Sequence, residues 1–187
     1  MGTRNIRTRR RWLKVVASLC LAGAWVAPMD ARASDGTITV NGQVTANTCT
    51  INAGAPNMTV TLPTVSTAAL PAGAVAGATA VTVSYSACSA GLVSATMYFE
   101  ASANVDASTG CLKNTATTSP SNVEVCFTNA DGTAIDMSKP SGSQGATVAA
   151  LSGSAGTDTF LVQYSAAGGA ATAGTYTSQV TYSVVYQ

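Results

Sequence analysis

Apolar and polar residues alternate with a period of two in two segments, DGTITVNGQVTANTC over 35–49 and GTYTSQVTYSVVYQ over 174–187. Successive side chains of a β-strand point to opposite faces, so each segment predicts a strand with one buried face. The first buried face carries Gly36, Ile38, Val40, Gly42 and Val44. The second carries Tyr176, Ser178, Val180, Tyr182, Val184 and Tyr186.

Short β-rich runs fill the chain between these two segments. Gly, Ser, Ala, Asn and Pro separate the runs, and no long helical period is present, which indicates short strands joined by turns. The stretch NADG over 129–132 predicts a hairpin between runs 123–127 and 133–135. The pattern predicts a single all-β module, a sandwich of immunoglobulin-like type. The predicted strands are 58–62, 80–85, 92–100, 123–128, 147–151, 157–164 and 175–186.

The start of the chain has the pattern of a secretory signal peptide. Basic residues crowd the first fourteen positions, and the apolar run that follows over 15–26 is shorter than the roughly 20 residues of a membrane span. A small-x-small motif predicts cleavage after Ala33, with Ala24 as an alternative. A lipoprotein anchored through Cys20 is disfavoured, because Leu19 stands where a small residue is needed.

Removal of the predicted signal peptide, 1–33, changes the charge of the chain. The remaining residues keep only Lys113 and Lys139 as cations against seven carboxylates, a formal charge of minus five. A mildly acidic chain lacks the basic surface that nucleic acid or an anionic membrane attracts. We therefore expect no nucleic-acid partner and no direct membrane insertion.

The residue inventory argues against an enzyme. Histidine is absent, which removes the usual base of a serine hydrolase. Beyond the signal peptide the chain has two glutamates, Glu100 and Glu124, and nothing in the sequence pairs them as a glycosidase needs. There is no CxxC pair for zinc and no phosphate-binding loop. We predict no catalytic residue, no metal and no cofactor.

Four cysteines remain in the exported chain, Cys49, Cys88, Cys111 and Cys126. An even count in an oxidising compartment predicts two disulfides. Three pairings are possible, and the sequence alone does not choose among them. Local spacing favours Cys111 with Cys126, which leaves Cys49 to pair with Cys88.

The predicted last strand reaches the end of the chain. Counted from Cys49, the runs supply an immunoglobulin-like sandwich only as far as its next-to-last strand, which leaves an apolar edge open. The segment 36–44 could fill that edge in its own chain, as the first strand of a closed sandwich. It could instead fill the edge of a neighbouring copy, and the head-to-tail contact would then repeat into a fibre.

Several pieces of the sequence, in this order and spacing, resemble pilins of the bacterial chaperone-usher pathway, particularly major fimbrial subunits of the type 1 and Bordetella kind. They are DGTITVNGQVTANTC, VTLPTVSTAAL, Cys88 after an apolar strand, YFEASANVDASTG, NADGTAI and SVVYQ. The resemblance implies an incomplete immunoglobulin-like sandwich, the pilin fold, that a donor strand from a neighbouring subunit completes. It also implies a periplasmic chaperone that lends a strand and an outer-membrane usher at which the next subunit replaces it.

The resemblance also implies a role for individual residues. The chain divides into a signal peptide 1–33, a donor extension 34–46 and a pilin domain 47–187. The free carboxylate of Gln187 would anchor in the chaperone's basic cleft. Cys49 and Cys88 match the family's usual disulfide, whereas Cys111 and Cys126 have no counterpart in its commonest members. The implied donor residues are Gly36, Ile38, Val40, Gly42 and Val44, and the implied acceptor residues are Gly174, Tyr176, Val180, Tyr182, Val184, Tyr186 and Gln187.

These expectations define the predicted function. The chain is expected to be a structural subunit of a surface fimbria, exported through the periplasm, that polymerises with identical or related subunits and supports adhesion. Two alternatives remain: a minor or adaptor pilin, and a self-complemented secreted β-sandwich that acts as a binding module.

Overall fold

A computed structural model describes residues 38–42, 48–119 and 121–187. The signal peptide 1–33 and the donor positions Gly36 and Val44 lie outside the described residues. The chain divides into two units, Met1–Gln43 and Val44–Gln187.

The second unit is all-β, as the sequence predicts. Its larger sheet has the strand order β1-β2-β7-β4-β5, and its smaller sheet has the order β6-β3-β8. Every pair of neighbouring strands is antiparallel. The strands are β1 Thr50–Ile51, β2 Val75–Ser86, β3 Ser94–Phe99, β4 Glu124–Asn129, β5 Ala134–Ile135, β6 Val148–Ala150, β7 Gly156–Ser165 and β8 Tyr182–Tyr186, and short 3-10 helices span Asn52–Gly54 and Thr67–Ala69.

Most of the predicted strands are present. The hairpin over 129–132 is confirmed: β4 pairs with β5, and Gly132 adopts a positive φ of 87° in the turn. Two predictions are wrong. The run 58–62 is not a strand, since it has no ladder partner in the described chain, and of the run 175–186 only β8 is a strand.

The core lies between the two sheets and is built from inward-facing strand positions. All three phenylalanines of the chain meet there, Phe99 from the smaller sheet and Phe127 and Phe160 from the larger one. Their ring centroids lie 4.9 to 5.6 Å apart. Because edge-to-face and offset-stacked rings attract each other beyond their buried area, this cluster joins the two sheets at one point.

Both disulfides form with the pairing that local spacing favours. Cys49 bonds to Cys88 and ties the residue before β1 to the loop after β2. Cys111 bonds to Cys126 and ties the long loop after β3 to β4. Each bond restricts the unfolded chain and thereby stabilises the folded one.

One carboxylate is buried in this core without a cation beside it. Asp158 is 8 % exposed on the inward face of β7. Within the described residues the one ion pair is between Lys139 and Asp136. Burial raises the pKa of the Asp158 carboxyl, and a hydrogen bond from the backbone of Thr159 offsets this only in part. Folding therefore makes ionisation of Asp158 less favourable than it is in the unfolded chain.

The substitution Asp158→Asn should stabilise the chain at neutral pH. A raised pKa means that folding favours the protonated acid, so the penalty from the ionised carboxyl grows as pH rises through the folded-state pKa. We expect thermal unfolding at pH 7 to shift up by about 2–4 °C, roughly 1 kcal/mol in a domain of this size. The gain should disappear below the ordinary aspartate pKa of about 3.9.

Comparing the thermal unfolding of the variant with that of the unsubstituted chain at each pH separates the contribution of Asp158 from those of three other aspartates. Hydrogen bonds from Ser108, Thr133 and Ser138 lower the pKa values of Asp106, Asp131 and Asp136, so those groups stabilise the fold above their unfolded pKa and titrate in the opposite sense. An equal gain at pH 3 and pH 7 would contradict the assignment.

Gly77 lies at a register shift in the pairing of β2 with β7. Its φ is +71°, and an added Cβ would lie 3.1 Å from atoms of both Tyr164 and Val65. Gly73 has a similar φ of +81° but open space at its Cβ position.

Substitution of either glycine by alanine carries a left-handed backbone penalty of about 1–2 kcal/mol. We expect Gly77→Ala to lower the free energy of unfolding by about 1 kcal/mol more than Gly73→Ala, because only Gly77 is crowded. Urea denaturation measures the difference, and equal losses would show that Tyr164 and Val65 move aside freely.

Candidate functional site

The last strand, β8, is hydrogen-bonded on one side only. It pairs with β3 through residues 183, 185 and 187, and Gln187 exchanges backbone hydrogen bonds with Ser94. In an antiparallel ladder the intervening residues point their N–H and C=O groups to the opposite side. In the described part of the chain no strand lies on that side. The backbone groups of 182, 184 and 186 therefore form a free edge.

A groove of about 550 Å³ runs along this free edge, and we call it the β8 groove. Residues 179–184 form one wall and residues 56–60 form the other. The hydroxyl of Tyr182 donates a 2.6 Å hydrogen bond to the carbonyl of Pro56 and links the two walls. Residues 57–62 make no backbone hydrogen bond with the rest of the described chain. Both walls therefore present unpaired backbone groups to the groove.

The floor of the β8 groove is apolar. It consists of the three phenylalanines together with Ile51 and Val81, and no charged residue lines the groove. Such a surface binds apolar side chains and offers no acid, base or nucleophile. The residues of this floor are not among the site residues predicted from the sequence. The alternating pattern of the sequence does indicate them, since Phe99, Phe127 and Phe160 each occupy an inward position of an alternating run.

A second cavity of about 550 Å³ lies further back along the same terminal segment, and we call it the 171–176 cleft. Tyr176 and Tyr164 meet edge to face there, with ring centroids 6.0 Å apart. The Tyr176 hydroxyl donates to the carbonyl of Leu112 at 3.0 Å, and burial raises the pKa of this phenol well above its usual value. Tyr176 therefore acts as a neutral hydrogen-bond donor.

The predicted acceptor residues fall into four places. Val180, Tyr182 and Val184 line the β8 groove, and Gly174 and Tyr176 line the 171–176 cleft. Tyr186 packs against the main core. The carbonyl of Gln187 accepts hydrogen bonds from the backbone N–H groups of Val93 and Ser94, at 2.7 and 3.0 Å.

The described donor positions belong to the first unit. Ile38 is 91 % exposed and Val40 87 %, and a Cβ added to Gly42 would meet nothing within 4 Å. No strand is assigned over 38–42. Two branched apolar side chains on one face of an alternating segment are therefore free to contact a partner.

Two features are absent from the described ranges. No helix there is long and apolar enough to cross a membrane. No group of three or more His, Cys, Asp or Glu side chains in those ranges has the geometry to hold a metal ion.

Comparison with known proteins gives consistent results. A family profile described as "Fimbrial protein" matches residues 38–187. The chain is 40 % identical to the F17 fimbrial protein of Escherichia coli over 83 % of this chain and 89 % of that one. It is 41 % identical to the major fimbrial subunit SMF-1 of Stenotrophomonas maltophilia strain K279a, over 86 % and 97 %.

Solved structures share the fold at low sequence identity. A subunit from a chaperone-usher pilus structure matches with a TM-score of 0.56 and 18 % identity, over 86 % of this chain and all of that one. The P pilus rod subunit PapA matches with a TM-score of 0.51 and 16 % identity, over 74 % and 99 %. The fold and the resemblance to fimbrial subunits that the sequence predicts are confirmed. The chain belongs to the fimbrial protein family, whose members are structural, non-enzymatic subunits of surface fimbriae.

Proposed function

We propose that this chain is the repeated shaft subunit of a chaperone-usher fimbria and that it polymerises by donor-strand exchange. The segment 36–44 of one subunit inserts into the β8 groove of the next. The observation that carries the proposal is the groove itself, an apolar floor between two walls that each carry backbone groups unpaired within the described chain.

Hydrogen bonding supports insertion of a strand rather than of a small molecule. A strand between the walls would bond to the free edge of β8 on one side and to 57–62 on the other. Buried N–H and C=O groups are costly when unpaired, so an occupant with its own backbone satisfies both walls together. A drug-sized ligand could not pair with two rows of backbone groups.

The apolar pattern of the donor segment suits the floor. Ile38 and Val40 lose almost all their exposed surface on insertion, and each contributes roughly 1.5–3 kcal/mol on burial. Their spacing of two residues matches that of Val180, Tyr182 and Val184 in the groove wall. Gly42 adds no side chain, so the donor backbone can approach the wall closely at that position.

Delivery requires a partner that covers the groove before assembly. An open apolar groove beside a free strand edge promotes aggregation. A periplasmic chaperone that lends a strand protects the groove, and Gln187, directly after β8, provides its anchor. At the outer-membrane usher the donor segment of the next subunit replaces that strand, driven by better packing and without a nucleotide.

Deletion of residues 34–44 tests the proposal. We compare the mature chain, the deleted chain, and the deleted chain with a synthetic peptide of residues 34–45. We expect SDS-resistant ladders and fibres from the mature chain alone, and a deleted chain that stays monomeric and that the peptide binds and stabilises. Gel filtration and electron microscopy provide the readout. A mature chain that stays a stable monomer would show instead that the segment pairs within its own chain.

A pair of substitutions in the donor segment separates insertion from folding. Ile38 and Thr39 are both exposed, so neither change should affect the fold of the subunit that carries it. Ile38→Asp places a charge on the inserted face, whereas Thr39→Asp places it on the outer face. Because burial of an unpaired charge costs several kcal/mol, we expect at least about a hundredfold less polymer from Ile38→Asp. Thr39→Asp should polymerise normally, and equal polymer yields would argue against insertion in this register.

A further inference from the structure

The described loop residues 101–119 and 121–122 take the place of a β-strand beside 175–181. Every second carbonyl of this segment accepts a hydrogen bond on the side that faces away from the β8 groove, the same side on which β3 pairs with β8. These are the carbonyls of Thr181, Gln179, Thr177 and Thr175. The donors, in that order, are the backbone N–H of Glu100 at 2.9 Å, the Asn104 side-chain amide at 2.9 Å, the N–H of Thr115 at 2.7 Å and the N–H of Ser121 at 3.0 Å. This irregular partner keeps the segment alternating in burial although it is not assigned as a strand.

Asn114 secures the segment with its side chain alone. Its amide nitrogen donates to the carbonyl of Thr175 at 2.7 Å and to that of Ser121 at 2.8 Å. Its amide oxygen accepts from the N–H of Thr177 at 3.1 Å. One side chain thus supplies a donor and an acceptor to residues on either side of Tyr176, as a neighbouring strand would.

The Cys111–Cys126 disulfide anchors this loop to the larger sheet. Leu112 and Val125, the neighbours of the two cysteines, exchange backbone hydrogen bonds of 2.8 and 2.9 Å. The Leu112 carbonyl also accepts the hydroxyl of Tyr176, which lines the 171–176 cleft. A continuous set of contacts therefore runs from the disulfide to the side chain and backbone of a predicted acceptor residue.

We propose that Asn114 and the Cys111–Cys126 disulfide are positioning groups for donor insertion: they hold 175–177 extended, so that Tyr176 and its backbone are arranged to receive a donor strand before it arrives. The inference rests on the proposed donor-strand function. Preorganisation of a binding segment improves binding because the ordering cost is met before the partner binds. The second disulfide then contributes to assembly as well as to stability.

The test uses the full mature chain in the Ile38→Asp background, which is expected to remain monomeric with its groove unfilled. Asn114→Ala and Cys111→Ala/Cys126→Ala are compared with a matched control, Asn129→Ala. Asn129 secures another loop in the same way, donating to the Gly145 carbonyl and accepting from the Thr147 N–H, and it lines neither the groove nor the cleft. Amide hydrogen exchange and the association rate of the fluorescent 34–45 peptide are measured on each protein.

We expect the Thr177 amide to exchange about five- to tenfold faster in Asn114→Ala, the change expected from losing one net hydrogen bond, while the Val185 amide is unaffected. The disulfide variant should accelerate exchange at both Thr175 and Thr177. Peptide association should fall by about tenfold in both variants and remain unchanged in Asn129→Ala, which should expose only Thr147.

Two results would overturn the inference: unchanged exchange at Thr177 in Asn114→Ala, or faster exchange with an unchanged rate of peptide association. Asn114→Ala keeps both disulfides, so it decides the question even if the cysteine variant fails to fold. Failure of the proposed function is distinguishable, because the peptide would then bind to none of the proteins, including the parent Ile38→Asp chain.

Discussion

Successive residues of a β-strand direct their N–H and C=O groups to opposite sides, so a strand needs a partner on each side. Within the described chain β8 has a partner on one side only. Its edge borders three phenylalanine rings rather than a polar surface, so water satisfies the free groups poorly where the wall meets the floor. The 57–62 segment on the far wall is in the same condition. The two sheets therefore enclose an open apolar groove of about 550 Å³ beside the free edge of β8.

Covalent and aromatic contacts hold the two sheets together around the β8 groove. The phenylalanine cluster joins the smaller sheet to the larger one directly beneath the groove. The Cys49–Cys88 bond fixes the start of the domain, from which the 56–60 wall continues, to the loop after β2. The walls are thus positioned by contacts within the subunit. Under the proposed donor-strand exchange, a groove supported in this way would accept one strand in place of another without unfolding of the domain.

The terminal segment combines two kinds of support. Its last residues lie in a regular ladder with β3, whereas 175–181 relies on a loop, a side-chain amide and the second disulfide. Beside this irregular loop, a side chain of the terminal segment can hydrogen-bond to a loop carbonyl. The Tyr176 hydroxyl donates to the Leu112 carbonyl while its ring packs on Tyr164. These contacts hold 175–181 in place although it is not a regular strand.

The sequence by itself determined which side chains of the terminal segment face inward. Burial alternates at every residue from Thr175 to Gln187, as the period of two predicts, because alternation is a local property of extended backbone. It also determined the all-β class and the hairpin over 129–132, which depend on short-range patterns. The spacing of the cysteines favoured the pairing that forms but left the other two pairings open. Three features follow from the three-dimensional fold alone: 58–62 has no strand partner among the described residues, a loop takes the place of a strand beside 175–181, and Phe99, Phe127 and Phe160 meet beneath the groove. Hydrogen-bond partners and cavities join residues far apart in the chain, and no local pattern specifies them.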